Sequence, residues 1–575
     1  MALIDFSNFN FIYPGADDKS LKNINFQLES GDFLLICGPS GCGKTTLLKQ
    51  LIPAVAPYGT REGHILFDGE DLYELSDADM AGRVGYVGQN PLNQLVTDKV
   101  WHELAFGMEN LGTSQEIMER RIAEVCEFFG MQKWLDRDVA TLSGGEMQMV
   151  HLASIMVMEP EVLLLDEPTA QLDPLAARNF LDMIKRINAE IGTTIILVEH
   201  HLEDAYGMAD KVMAMTTAEI DCFGNPREVA GKLKFMSGLP SALLIAKSVE
   251  ENDEHLPLTV AEGQRWMRDR MKAKSIDEVT ILNEAENIIS QFDENNISHN
   301  DRDDISYDTR GNISQNAEIL RIKDICFAYS DEDIVLNDCN LSVHKGEIYA
   351  LLGGNGTGKS TLLKVLCQTE KPVYGSVEIF GKKVKGLADA PLGYEGMVFL
   401  PQDPMALFTE ITVWEEMIET FDGMDIGLSE KEKLAETMLE DIGLIEYKKF
   451  HPYDLSGGQQ QLLAIGKLLL LKPQIILMDE PTKGLDFDRK IQLGDRLKKL
   501  AESGITILMV SHDIEFCARF ATRCGMMHDG RVVASSSARE FFAGNNFFTT
   551  ATNRMVKRFL PKFILPEEVI AFCKM

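Results

Sequence analysis

The stretches FLLICGPSGCGKTTLLKQLI (Phe33–Ile52) and IYALLGGNGTGKSTLLKVL (Ile348–Leu366) decide the fold. Each is a buried-looking apolar run, a glycine-rich turn and a segment with helical periodicity. That strand–loop–helix context is the one in which a GxxxxGK[ST] loop cradles a polyphosphate. The loop residues Gly38, Pro39, Ser40, Gly41, Cys42 and Gly43, and Gly353, Gly354, Asn355, Gly356, Thr357 and Gly358, are expected to curl backbone N–H groups around phosphates at a helix N-terminus. Lys44 and Lys359 then reach the β- and γ-phosphates, Thr45 and Ser360 offer hydroxyls to Mg²⁺, and Thr46 and Thr361 complete the contact.

Working outward, the same residue types recur around both loops. Apolar runs end in Asp166 and Asp479, placed to hold Mg²⁺ from its other side. Glu167 and Glu480 follow directly, where a carboxylate can polarise a water in line with the γ-phosphate. His200 and His512 end a later strand and are read as γ-phosphate sensors; His200 is preferred to His201 because ILVEHHLE aligns with LMVSHDIE. Gln89 and Gln402 are candidates to complete the Mg²⁺ shell, and Tyr13 and Tyr329 to stack on adenine. LSGGE and LSGGQ offer Ser143, Gly144, Gly145 and Ser456, Gly457, Gly458 as a second anion site before a helix. The offsets are 316 for the tyrosines, 315 for the lysines, 313 for the serines and 312 for the histidines, so order and spacing are both kept. Tandem duplication of one domain is the economical reading.

Size and charge agree with this. A chain of 575 residues suits two domains and a connector. The net charge of −33 argues against a chain that wraps nucleic acid, which needs clustered Lys and Arg. Ten cysteines without a CxxC pair suit reduced thiols in a cytoplasm. No apolar run approaches the ~20 residues of a spanning helix, and the N-terminus does not read as a secretory signal.

Alternating apolar strands and amphipathic helices indicate an α/β fold with a parallel core, and helical segments between Gln89 and Ser143 and between Gln402 and Ser456 read as an inserted helical subdomain in each half. The expected boundaries are 1–235 and 317–545 for the two ATP-binding domains, 236–283 for a helical extension of the first, and 546–575 for a C-terminal helical tail. Residues 284–316, rich in Asn, Asp and Ser, read as a mobile acidic and polar linker. Cys42, near Lys44 and a helix N-terminus, is expected to be a thiol of lowered pKa.

On these motifs the chain resembles the ATP-binding cassette (ABC) family, with two tandem P-loop NTPase domains covering most of its length. The resemblance implies ATP hydrolysis with ATP and Mg²⁺, in a head-to-tail sandwich in which Ser456 and Gly458 face the ATP held by Lys44, while Ser143 and Gly145 face the ATP held by Lys359. It also implies that Asp173 and Asp486 communicate between the sites and that both sites hydrolyse. One departure is local: EMQMVHLA and QQQLLAIG lack the arginine usual in that helix, which leaves its anchoring open.

Within the family, QNPLNQLVTDKVWHELAFGMENLG (Gln89–Gly112), the segment FMSGLPSALLIAKSVEENDEHLPLTVAEGQRW and the tail FFTTATNRM are similar to the ATPases of energy-coupling factor (ECF) transporters, importers of vitamins and transition-metal ions. That likeness implies a peripheral subunit on the cytoplasmic face of the membrane, bound to a transmembrane T component and, through it, a substrate-binding S component. Glu103, Glu415 and Glu416 are candidates to meet basic residues of that partner. The alternatives are a soluble tandem ATPase of the translation-factor type, against which the acidic linker argues, and a fused sugar-import ATPase.

Overall fold

The computed structural model describes residues 2–16, 18–76, 80–233, 238–249, 256–274, 278–296, 317–330, 333–386 and 389–574. They form two compact units, Met1–Arg270 and Met271–Met575. Each unit has the same plan.

In the first unit β1 (Ile4–Ile12), β2 (Leu21–Leu28), β4 (Thr60–Phe67) and β5 (Glu70–Asp71) make an antiparallel sheet of order β2-β1-β4-β5. A second sheet takes β3 (Phe33–Cys37), β6 (Val84–Val87), β7 (Val162–Asp166), β8 (Thr194–Val198), β9 (Lys211–Thr216) and β10 (Glu219–Gly224), in the order β10-β9-β3-β8-β7-β6. It is parallel except for β10, which returns antiparallel to β9. Strands β3, β7 and β8 are buried along their whole length, which is why they read as unbroken apolar runs and not as alternating ones. Leu34 and Ile36 pack toward Phe6, Phe9 and Phe11 of the antiparallel sheet. Leu35 and Cys37 pack on the other face, in the cluster with Phe180 and Ile184 of the helix Pro174–Ile191. Helices Val100–Asn110 and Gln115–Phe129 are inserted between β6 and the helix Gly144–Met156. Because β3, β8 and β7 are parallel neighbours, the loops that leave them open on one edge of the sheet, the edge where doubly wound folds bind ligands.

The second unit repeats this. Its antiparallel sheet is β12-β11-β14-β15, made of β11 (Glu318–Ser330), β12 (Asp333–His344), β14 (Tyr374–Ile379) and β15 (Lys382–Val384). Its second sheet is β16-β17-β18-β13-β19-β20, made of β13 (Ile348–Leu352), β16 (Met397–Leu400), β17 (Ile475–Asp479), β18 (Thr506–Val510), β19 (Arg523–His528) and β20 (Arg531–Ser537). Helices Val413–Glu419 and Leu428–Asp441 fill the place of the inserted pair. The α/β class and the paired helical subdomains expected from the sequence are therefore what the chain adopts.

The repeat runs further than the motifs reveal. After the first cassette come helices Ser241–Val249 and Val260–Lys274; after the second come Ala551–Val556 and Pro566–Lys574. Each first helix is met at its start by an acid of the preceding lobe, Glu203 accepting from Ser241 N–H and Glu515 from Ala551 N–H. Each second helix carries an acid that accepts from backbone N–H just before it and pairs with an arginine. These are Glu262 with Leu258 N–H and Arg227, and Glu568 with Ile564 N–H and Arg539. The segment 546–575 is thus the counterpart of the extension after the first cassette.

The expected linker does not start at Glu284. Glu278–Asn296 is a helix, and Ala285, Ile288 and Ile289 are buried. It lies within the second unit, against Pro566–Lys574, with Lys562 paired to Glu286. The polar composition hid three apolar residues at helical spacing. Residues 297–316 lie outside the described residues.

The two arginine–acid pairs differ in burial. Glu568 is fully buried and Arg539 is 16% exposed, whereas Arg227 and Glu262 are 43% and 28% exposed. Removing the cation from a buried pair leaves a desolvated charge, so Arg539→Ala should cost about 3 kcal/mol and Arg227→Ala under about 1 kcal/mol. Thermal unfolding of the two variants should show a clear drop in melting temperature for the first only.

Candidate active site

Each phosphate loop joins the end of a buried strand to a helix that begins at its lysine, Lys44–Lys49 and Lys359–Leu366. Gly43 and Gly358 cap these helices at φ 103° and 97°. A Cβ on Gly43 would lie 2.7 Å from Ser20 O, and one on Gly358 would lie 2.8 Å from Val335 O, so the close turn admits only glycine. Lys44 Nζ donates to Gly38 O at 2.9 Å and Pro39 O at 2.8 Å; Lys359 Nζ donates to Gly353 O at 3.0 Å and Gly354 O at 2.8 Å. Both ammonium groups are thereby held inside the loop that would enclose a phosphate chain.

The strand-end acids face the hydroxyls next to those lysines. Thr45 Oγ1 donates to Asp166 Oδ1 at 3.0 Å, and Tyr86 OH donates to Asp166 Oδ2 at 3.3 Å. Burial, then the neighbouring Glu167, raises the Asp166 carboxyl; burial raises Asp479, with the Ser360 hydroxyl opposing. Asp479 Oδ1 is buried and has no hydrogen-bond partner among the described residues. A hydroxyl beside a dry carboxylate with an unused oxygen is an oxygen donor set that fits Mg²⁺.

Glu167 and Glu480 take positive φ, 49° and 51°, a conformation that costs about 1 kcal/mol or more for a non-glycine residue and clusters at functional sites. Their N–H groups donate to Val198 O and Val510 O, each at 2.9 Å, which ties the turn to the neighbouring strand. The side chains meet the expected histidines: His200 Nε2 is 2.9 Å from Glu167 Oε1, and His512 Nε2 is 3.1 Å from Glu480 Oε1. Burial pushes the Glu480 carboxyl up to about 7.

A groove of about 670 Å³ opens over the first loop and is lined by Tyr13, Lys44, Thr45, Thr46, Glu167 and His200 among others, a volume that suits a small-molecule ligand. Tyr13 and Tyr329 are 38% and 51% exposed, and their hydroxyls lie 3.1 Å from Thr46 Oγ1 and 3.5 Å from Thr361 Oγ1. Gln89 and Gln402 are exposed, just past the ends of β6 and β16. Ser143 and Ser456 are N-caps in capping boxes with Glu146 and Gln459, ahead of Gly144, Gly145 and Gly457, Gly458 in the first helical turn. Asp173 and Asp486 cap the helices Pro174–Ile191 and Phe487–Glu502. The structure thus gathers lysine, hydroxyl, aspartate, glutamate and histidine in each unit, while among the described residues the exposed glutamines and the signature serines make no hydrogen bond to that cluster.

The helices that lack the usual arginine are anchored by glutamine. Gln148, fully buried, donates to Gly88 O at 3.3 Å, and Gln461 donates to Pro481 O at 3.2 Å.

Three expectations change. Cys42 is 5% exposed, and burial raises its thiol pKa against the lowering effect of Lys44. Glu103 is 4% exposed and accepts from Val96 N–H, Thr97 N–H and the Thr97 hydroxyl. Glu416 is fully buried, pairs with Lys467 and accepts from Thr409 and Glu410 N–H. These two acids hold the loop ahead of their helix and are not free to meet a partner; Glu415 remains exposed in a capping box with Thr412. Two residues escaped the sequence reading: Tyr86, which donates to the metal-site aspartate, and Glu199, a buried acid beside His200. The hint for the latter was Glu in VEHH against Ser in VSHD.

The family profile described as ABC transporter matches residues 21–170 and 336–483. A Bacillus cereus protein described as an ABC transporter ATP-binding protein is 38% identical over 581 residues, covering 100% of this chain and 98% of that one. One from Methanosarcina mazei, described in the same words, is 32% identical over 549 residues, 94% and 90% of the two chains. A solved structure of CbiO1 from Clostridium perfringens, described as part of the ABC transporter complex CbiONQ, is 30% identical and covers 40% of this chain and 90% of that chain with a TM-score of 0.37.

Two outcomes follow from the thiol and the acid. A maleimide should leave Cys42 of the native protein unmodified over times that label a denatured sample, and turnover should be equally insensitive in wild type and Cys42→Ser; selective protection of turnover by Cys42→Ser would overturn this. Glu480 binds its proton more tightly folded than unfolded, so its favourable contribution is fully present below the ordinary carboxylate range and is lost as pH rises through about 7. Glu480→Gln should therefore raise the melting temperature of the nucleotide-free protein at about pH 8 and leave it unchanged near pH 4.

Proposed function

The chain belongs to the ABC transporter family and is an ATPase, and from that premise we propose that it is the energy-coupling subunit of an ECF-type importer, driving uptake of a vitamin or transition-metal ion through separate membrane subunits. The ECF reading is supported by the segment Gln89–Gly112 and by an extension of matching hydrogen bonds after each cassette. No helix among the described residues is long and apolar enough to cross a membrane, so in this reading the work passes to a transmembrane T component and a substrate-binding S component at the cytoplasmic face.

Within each cassette the tyrosine stacks on adenine, and the loop N–H groups and the lysine bind the phosphates. Mg²⁺, when held by Thr45 and Asp166 or by Ser360 and Asp479, with Gln89 or Gln402, would neutralise charge on the phosphate oxygens. Glu167 and Glu480 orient and polarise the attacking water, and His200 and His512, whose Nε2 atoms lie 2.9 and 3.1 Å from these carboxylates, contact the γ-phosphate. The single observation that carries this reading is the glutamate–histidine pair at the strand edge in both units, at 2.9 and 3.1 Å.

Glu167→Gln and Glu480→Gln should each keep ATP binding and lower turnover, together by about 10² or more. Nucleotide binding and phosphate release measured on one preparation decide the matter, and normal turnover in the double variant would refute the assignment. Affinity purification from native membranes should bring down an integral membrane protein of T type; copurification with ribosomes would instead support the translation-factor class.

A further inference from the structure

The two sites differ in one buried acid. In the second unit Glu480 Oε2 accepts from His512 N–H at 3.1 Å, while Oε1, 3.1 Å from His512 Nε2, makes no hydrogen bond among the described residues. The residue before that histidine, Ser511, turns its hydroxyl to Asp513 N–H. In the first unit the matching position is Glu199, which is 2% exposed. Its Oε2 accepts from His200 N–H at 3.2 Å, the bond that in the second unit falls to Glu480 itself. Its Oε1 accepts from Thr169 N–H at 3.2 Å and from the Thr169 hydroxyl at 2.6 Å. Thr169 stands two residues past Glu167, in the turn whose backbone carries the positive φ. Glu199 therefore fastens both ends of the glutamate–histidine pair, the turn after Glu167 and the backbone at His200, without itself facing the groove.

We propose that Glu199 is a positioning residue of the first ATP site: by taking the His200 N–H and tethering Thr169, it spares Glu167 the backbone bond that in the second site ties up Glu480 Oε2, and so leaves that Glu167 oxygen for the attacking water. This rests on the reading that Glu167 and Glu480 are the water-activating bases. Burying a carboxylate is unfavourable unless donors converge on it, and burial does push the Glu199 carboxyl up to about 7. Three donors at this one side chain are what keep it there. The consequence is functional inequality between two sites that share every motif.

The experiment compares steady-state hydrolysis by the full-length chain and four variants. Glu199→Ser, which copies Ser511, should lower kcat by about tenfold at unchanged KM for ATP, the size of effect expected when a hydrogen bond to a charged group is lost. Glu199→Gln, which keeps one accepting oxygen, should fall between the two. An unchanged kcat in Glu199→Ser, or a change confined to KM, would overturn the proposal. If Glu199→Ser does not fold, Ser511→Glu decides: it supplies the second site with the missing acid and should raise kcat at the same KM, and an unchanged or lower kcat overturns the proposal. The Glu167→Gln/Glu480→Gln chain sets the zero. Turnover there near the wild-type rate would fell the assignment of the bases, whereas a strongly slowed double variant with a fully active Glu199→Ser would fell only the role of Glu199.

Discussion

The interaction on which the rest depends is the contact of a hydroxyl at the start of the loop helix with a carboxylate at the end of a buried strand, Thr45 with Asp166 in the first unit. Neither residue would be in range without the sheet order that sets β8 between β3 and β7. The order is possible only because both faces of those strands are covered by apolar side chains. Dry strands also explain the electrostatics: acids at their ends lose solvent, so Asp166, Asp479 and Glu480 are all raised. The site is thus prepared for charge that it does not itself contain.

What the sequence made legible was whatever requires particular residue types at fixed spacing. The phosphate loop needs glycine where the backbone turns back on Ser20 or Val335, and a lysine directly after it. The glutamate and histidine needed only the register of neighbouring strands to be brought together. Sequence was a poor guide where burial decides. Glu103, Glu416 and Cys42 carry residue types that suit a surface or a reactive thiol, yet each lies against partners fixed by tertiary packing. The start of the connector failed for a related reason, since composition averaged over 284–316 conceals Ala285, Ile288 and Ile289. The anchoring of the signature helices, left open by the missing arginine, is supplied by Gln148 and Gln461, which spacing alone does not distinguish from surface glutamines.

The likeness of the two cassettes is also not uniform. Motif residues and strand order coincide, whereas the side chains one layer behind them diverge: Glu199 against Ser511 and Ser154 against Lys467. A copy of a binding motif fixes which ligand is held. The layer behind it tunes how firmly the reacting groups are held, and there two domains in one chain are free to specialise.

The arginine–acid pairs Arg227–Glu262 and Arg539–Glu568, with the acids Glu203 and Glu515 at the preceding helix starts, bear on ancestry. The letters around them have drifted until FFTTATNRM and GLPSALLIA look unrelated, while the hydrogen bonds remain in step. Independent acquisition of the same three-residue network on two lobes is far less economical than inheritance. The segment that was copied was therefore a whole ATPase with its extension already attached, and the present chain preserves in its bonding a history that its sequence has largely erased.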